Sequence, residues 1–380
     1  MSSLKFPIPP GAGAGLSVAP PASAARRQWL RAAGVLAWPS ATWAAPASSP
    51  ATATGAAVQG AGASFPARLY RRWAQDYAQA TGAQVNYQPT GSGDGVKQAI
   101  ARTVAFGGTD TPLAPEALAR HGLMQLPTAV GGIVPVVHGA IEAHRLRLSG
   151  ELLAEIFSGA VERWDDPRIA ALNRGLSLPA RRIVRVVRAE KSGSTEAFSR
   201  YLAERSPAFA EKVGASALPA WPGEVQAAEG NDGVAAAVRA TPGAIGYVGH
   251  DRVEAGGVSP VQLRNRDGAW VSAGVGGFRT AVLHSDLHRQ GQDLASLIDR
   301  PGPDSWPLTL TSFVLIDAVP ARAQAVEWPL RFWYWCFMRG DAATQGTGFA
   351  PLPVSLQARL AARFAAVRGA DGLRPRYQGA

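Results

Sequence analysis

Arg188-Ala189-Glu190-Lys191-Ser192-Gly193-Ser194-Thr195-Glu196-Ala197-Phe198 joins a β-branched run to a helical pattern, and its reading decides the fold. The preceding residues 182–187 hold Ile183, Val184, Val186 and Val187 and read as a strand. Phe198, Tyr201 and Leu202 then recur at helical spacing, so a helix starts near Ser194. A Gly/Ser/Thr loop between strand and helix leaves amide donors at the helix N-terminus, where the dipole favours an anion. The hydroxyls of Ser192, Ser194 and Thr195 add donors. Arg188 adds a permanent charge whose planar fork matches a tetrahedral oxyanion. An ordinary capped helix with a surface arginine has the same local pattern, so the rest of the chain must decide.

Two further loops of this kind occur. Gly60-Ala61-Gly62-Ala63-Ser64-Phe65-Pro66 precedes a helix over 68–81, with Leu69, Trp73 and Tyr77 on one face and Gly82 as its stop. Ser64 is the expected N-cap of that helix. A short strand over 84–87 runs into the loop Gly91-Ser92-Gly93-Asp94-Gly95, followed by a helix over 96–103. A strand over 104–108 then ends at Thr109-Asp110-Thr111-Pro112, placing an acid where strand ends gather. Strands are expected over 132–138, 243–248 and 306–316, and helices over 151–157, 234–240, 326–338 and 356–367. The segment 251–303 reads as polar and loop-rich. No repeat is present.

The composition suits a globular chain long enough for two domains: 380 residues, 47% hydrophobic and 17% charged. No apolar run approaches the ~20 residues of a membrane span. The net charge of +10 comes from arginines scattered singly, which is weak support for nucleic acid, and none is expected as a partner. Arg26-Arg27-Gln28-Trp29-Leu30, an apolar stretch and Thr42-Trp43-Ala44-Ala45 read as a secretory leader of twin-arginine type over 1–44. A linker over 45–58 follows. Cys336 is the single cysteine and lies in the aromatic run 332–337, so it reads as a buried small apolar residue. With no cysteine beside the expected cleavage site, a lipid anchor is disfavoured, and an exported soluble monomer is expected. The six histidines have no metal-ligand spacing. Neither a G-x-S-x-G elbow nor a Walker loop is present, so no catalytic residue, metal or cofactor is assigned.

Taken in order from residue 58 onward, these motifs resemble the periplasmic phosphate-binding protein of Pst-type ABC transporters. Phe106-Gly107-Gly108-Thr109-Asp110-Thr111-Pro112-Leu113, Trp164-Asp165-Asp166, Gly230-Asn231-Asp232-Gly233, Gly243-Ala244-Ile245-Gly246-Tyr247 and Trp306-Pro307-Leu308-Thr309 belong to the same set. The resemblance implies a type II periplasmic-binding-protein fold, two α/β domains joined by two crossing strands with a ligand cleft between. Domain I would comprise 59–134 and 307–380, and domain II 135–306.

It also implies phosphate contacts from Ser64, Phe65, Ser92 and Asp110 on one side and from Arg188, Ser192, Gly193 and Ser194 on the other. Membrane permease and ATPase subunits of the transporter are the implied partners. An ionised carboxylate only accepts hydrogen bonds, so Asp110 would pair with a phosphate that keeps a proton and repel sulfate, which has none. Glu190 stands where the family commonly has Asp, and it is expected to brace Arg188 with altered geometry. Ser64 and Ser194 replace common threonines, and Asp94 brings a charge into a loop that is usually neutral. The competing functional readings are a receptor for another tetrahedral oxyanion and a secreted phosphatase-like enzyme.

Overall fold

The computed structural model describes residues 57–139 and 145–378, all within one compact unit. The expected leader over 1–44 and almost all of the expected linker lie outside the described residues. Val58 already belongs to the first strand, so the linker ends earlier than expected.

β1 (Val58–Gly62) runs parallel to β2 (Val85–Gln88) and β3 (Phe106–Thr109), with α1 (Ala67–Thr81) and α2 (Ser92–Ala101) as crossovers. α3 (Pro115–His121) leads into β4 (Leu123–Val137), which is buried along its whole length. The first part of β4 pairs antiparallel with β12 (Thr309–Asp317). From Ile133 onward it pairs antiparallel with β8 (Ala244–Gly249). β8 is parallel to β6 (Val184–Arg188), which is parallel to β7 (Gln226–Ala228). The strand order is therefore β2-β1-β3-β12-β4-β8-β6-β7, with β4 common to both ends.

The helices of the second end are α4 (Gly150–Phe157), α5 (Pro167–Leu172), α6 (Gly193–Arg205), α7 (Pro207–Lys212) and α8 (Gly230–Ala240). α9 (His250–Glu254) follows β8 directly. The segment expected to be mostly loop is structured. β9 (Ser259–Pro260) joins β4, and β5 (Arg147–Leu148), β10 (Gln262–Arg264) and β11 (Trp270–Val271) form a small separate sheet. α10 (Val275–Leu283) and α11 (Asp286–Arg289) complete it. α12 (Glu327–Arg339), α13 (Asp341–Thr344) and α14 (Val354–Arg363) then pack on the first end. No helix of the described residues is long and apolar enough to cross a membrane.

Each end of the sheet has its own aromatic core. On the first, Tyr70 and Trp73 of α1 meet Tyr87, Phe106 and the α12 ring Trp333, with centroids 5.0–6.1 Å apart. On the second, Phe157, Phe198 and Tyr247 stack within 4.3–5.9 Å. Offset and edge-on pairs of this kind add to the burial of their apolar surface. Cys336 is buried in the first cluster, and burial pushes its thiol well above the usual range.

Three local expectations are corrected. Ser64 does not cap α1; Pro66 occupies that position without a side-chain cap, because the Ser64 hydroxyl is engaged across the cleft. The glycine-rich Ser92–Gly95 stretch is not a loop but the first turn of α2. A Cβ on Gly95 would lie 2.3 Å from the Gly108 carbonyl oxygen and 2.6 Å from Gly62 Cα. The glycine is there for close approach of helix to strands, which outweighs its poor helix propensity. β4 begins at Leu123, well before the expected 132. The early part contains Pro127, which cannot donate to a ladder, and the register shifts there opposite Ser312/Phe313.

Candidate functional site

Every candidate residue named above stands at the carboxyl end of a strand. Ser64 and Phe65 follow β1, Ser92 opens α2 after β2, and Asp110 follows β3. Arg188 ends β6, Ser192 caps α6 through its hydroxyl, and Gly193 and Ser194 form the first turn. Short hydrogen bonds tie the two sets together. Arg188 Nη2 donates to Ser64 Oγ at 2.9 Å, and Ser194 Oγ donates to Asp110 Oδ2 at 3.3 Å. The Asp110 amide donates to Ser92 Oγ at 3.3 Å. A Cβ on Gly193 would come within 2.7 Å of Asp110 Cβ and 2.8 Å of Ser92 Oγ, so only glycine fits where the walls meet. Gly93 N–H to the Lys191 carbonyl (3.3 Å) and Thr111 Oγ1 to Glu196 Oε2 (2.9 Å) close the rim. All eight residues are buried.

The hydroxyls are set as donors by what they accept. Ser64 Oγ takes hydrogen bonds from Arg188, from the Asn231 amide at 3.3 Å and from Asn231 Nδ2 at 3.0 Å. With its lone pairs used, its own hydrogen is left to donate. Ser92 Oγ accepts from the Asp110 amide, and Ser192 Oγ accepts from the Thr195 amide at 3.2 Å. Each of these two keeps its own hydrogen to donate and one lone pair besides. The amides of Ser92, Gly193 and Ser194 are first-turn groups, which have no partner within a helix. One guanidinium and a ring of neutral donors therefore face a single acceptor, Asp110.

Asp110 is 6% exposed and its pKa is pushed up to about 6 by burial. The Ser312 hydroxyl, 2.8 Å from Oδ1, and the Arg188 charge oppose that rise. Glu190 braces Arg188 as expected. Its Oε1 accepts from Nε at 2.9 Å, forms a very short contact with Nη2, and also takes the Gly230 amide at the start of α8 at 3.2 Å. The longer side chain thus orients the arginine and caps a neighbouring helix at once. Asp94 accepts from Gln98 one turn along α2 rather than from a residue of the site.

Sequence reasoning assigned no role to four supporting residues, Ser312, Asn231, Tyr247 and Arg252. Ser312 lies on β12, far along the chain, and only the β3–β12 pairing brings it to Asp110. Asn231 belongs to a quoted motif, but its dual grip on Ser64 and on the Gly249 amide (2.7 Å) needs the folded sheet. Thr195 Oγ1 and Tyr247 Oη are 2.7 Å apart beneath the α6 turn; burial pushes the tyrosine up to about 12, so it stays a neutral hydroxyl. Arg252 grips the Ser64–Phe65 backbone and is treated below. Among the described residues, no cluster of His, Cys, Asp or Glu is arranged to hold a metal ion.

A mixed sheet whose two helix-flanked ends are joined through the long strand β4, with helix N-termini converging between them, defines a periplasmic-binding-type fold. The PBP superfamily domain matches residues 45–335. The phosphate-binding protein PstS of Haemophilus influenzae is 38% identical over 300 residues, covering 79% of this chain and 90% of that protein. PstS of Xylella fastidiosa is 38% identical over 309 residues, covering 81% and 85%. Among solved structures, a phosphate-binding protein from Stenotrophomonas maltophilia superposes with a TM-score of 0.63 at 23% identity, over 82% of this chain and 94% of that one. The chain belongs to the PBP superfamily and, within it, to the PstS family of phosphate-binding proteins.

Proposed function

We propose that this protein is an exported receptor that encloses inorganic phosphate between two domains and delivers it to the permease and ATPase subunits of an ABC transporter. The domains in this reading are 59–134 with 307–380, and 135–306, hinged where β4 and the chain before β12 pass between them. Arg188 supplies charge. The hydroxyls of Ser64, Ser92, Ser192 and Ser194 and the amides of Phe65, Ser92, Gly193 and Ser194 replace the water an enclosed anion loses. Glu190 holds Arg188 in place. Asp110 accepts the proton of a monoprotonated or diprotonated phosphate and leaves sulfate with an unpaired, repelled oxygen.

The observation that supports this reading most is the gathering of Arg188, the Ser64 hydroxyl held as a donor and the first turns of two helices opposite one buried carboxylate. Binding and release need only domain closure, with no covalent step. The leader reading, with no cysteine beside its expected cleavage site, supports export without a lipid anchor. Calorimetric titration of the purified protein with phosphate and then sulfate at neutral pH tests it. One-to-one phosphate binding without sulfate heat is expected. Equal binding of both would make it a receptor for oxyanions at large, and binding of neither would end the reading.

A further inference from the structure

The buried arginine on α9 is unused by any role assigned so far. Arg252 has a side chain that is 1% exposed, and all five of its N–H groups are satisfied. Nε donates to Asp232 Oδ1 at 3.1 Å and Nη2 to Asp232 Oδ2 at 3.4 Å. Nη1 forms a very short contact with Asp251 Oδ2. The two remaining bonds run to backbone: Nη2 to the Ser64 carbonyl and Nη1 to the Phe65 carbonyl, each at 3.2 Å. These are the two residues that follow β1 into the site.

A trans peptide is planar, with its C=O and N–H pointing in opposite directions. The Ser64 carbonyl and the Phe65 N–H belong to one peptide unit. A guanidinium holding that carbonyl fixes the plane and turns the Phe65 N–H away from Arg252. It also polarises the unit, strengthening the N–H as a donor, as in any hydrogen-bonded chain. Charge from an arginine outside the pocket is thereby passed to the pocket through a peptide bond. Asp251 and Asp232 keep the guanidinium from rotating, and Arg68 Nη2 donates to the same Asp232 Oδ1 at 3.0 Å.

We propose that Arg252 is a positioning residue of the phosphate site, acting through the Ser64–Phe65 peptide. The inference rests on the function proposed above. Removing Arg252 alone strands the buried Asp251, so the informative variant is Arg252→Met with Asp251→Asn. Arg252→Lys keeps the charge but cannot span both carbonyls. Arg68→Met disturbs the same acids without touching either carbonyl. The readouts are phosphate affinity by calorimetry, thermal midpoint, and the amide proton shift of Phe65 by NMR with and without phosphate.

The double variant is expected to bind phosphate about tenfold or more weakly, the scale of losing a charged hydrogen bond. Its Phe65 amide shift should move even in the protein alone, Arg252→Lys should fall between, and Arg68→Met should stay within about threefold of wild type. Unchanged affinity with an unchanged Phe65 shift in a folded double variant overturns the proposal. So does a loss in Arg68→Met as large as in the double variant, since a general structural role would then suffice. Failure of the wild-type protein to bind phosphate would sink the functional reading instead, while the Phe65 shift in the protein alone still judges Arg252.

Discussion

The two ends of the strand order build their walls of the cleft from one device and finish it in opposite ways. On both, a strand ends in a Gly/Ser turn whose helix presents unpaired amides: Ser92 at α2, Gly193 and Ser194 at α6. The β6 end adds Arg188, clamped by Glu190. The β1–β3 end adds Asp110, held by Ser312. In the proposed function one wall offers charge to any anion, and the other tests whether that anion still carries a proton. The difference separates affinity from selectivity, and each half can be broken alone.

Removing the charge has the largest expected effect. Arg188→Met leaves the half-buried Glu190 without its arginine beside an anion and should weaken phosphate binding by about 3 kcal/mol or more, over a hundredfold, measured calorimetrically. Next comes the opposite wall. Asp110→Asn should narrow the phosphate-to-sulfate affinity gap by about 2 kcal/mol, since the amide can donate to sulfate. An unchanged gap would mean that selectivity arises elsewhere.

The same residue predicts a stability effect with a definite sign. Asp110 titrates at about 6 in the folded protein against an ordinary 3.8. The folded state therefore binds more protons between those values, and stability falls as pH rises through that window. Asp110→Asn lacks this cost, so without phosphate its thermal midpoint should exceed wild type at pH 7, by up to about 3 kcal/mol in stability. The difference should vanish below about pH 3, where Asp110 is neutral in both states. Smaller still, Glu190→Gln keeps the brace geometry but not its charge and should cost about 1–2 kcal/mol of affinity. Asp94→Asn should change affinity by less than about 0.5 kcal/mol, because Asp94 holds Gln98 rather than the cleft.

Much of this site is legible in the sequence because its donors come from local pattern. A strand, a Gly/Ser turn and a helix start are short-range signals, and Arg188 and Glu190 are two residues apart. α1 is equally legible, with Leu69, Trp73 and Tyr77 buried and Gly82 closing it in the left-handed conformation. The misreadings share a cause, which is long-range contact overriding local preference. Ser64 looks like a cap until Arg188, 124 residues on, claims its oxygen. Gly93 and Gly95 look like loop until the closeness of α2 to Gly62 and Gly108 is known. Pro127 hides the start of β4 because its bulge is accommodated only by β12. In α10 the pair Gly276-Gly277 blurs the helical period, yet a Cβ on Gly277 would lie 2.7 Å from the Asp304 carbonyl oxygen. Ser312 and Arg252 carry no local signal at all, and the motif that holds Asn231 does not show that it grips Ser64.

The measurement closest to the central claim is the phosphate-to-sulfate affinity ratio of wild type and Asp110→Asn, titrated side by side from pH 5 to pH 8. In wild type the ratio should be large at pH 7 and 8 and should shrink below about pH 6, as Asp110 gains a proton and can donate to sulfate. In Asp110→Asn it should be small throughout, without that break. A wild-type ratio that stays constant across the range, or a variant that keeps the full discrimination, would contradict the account.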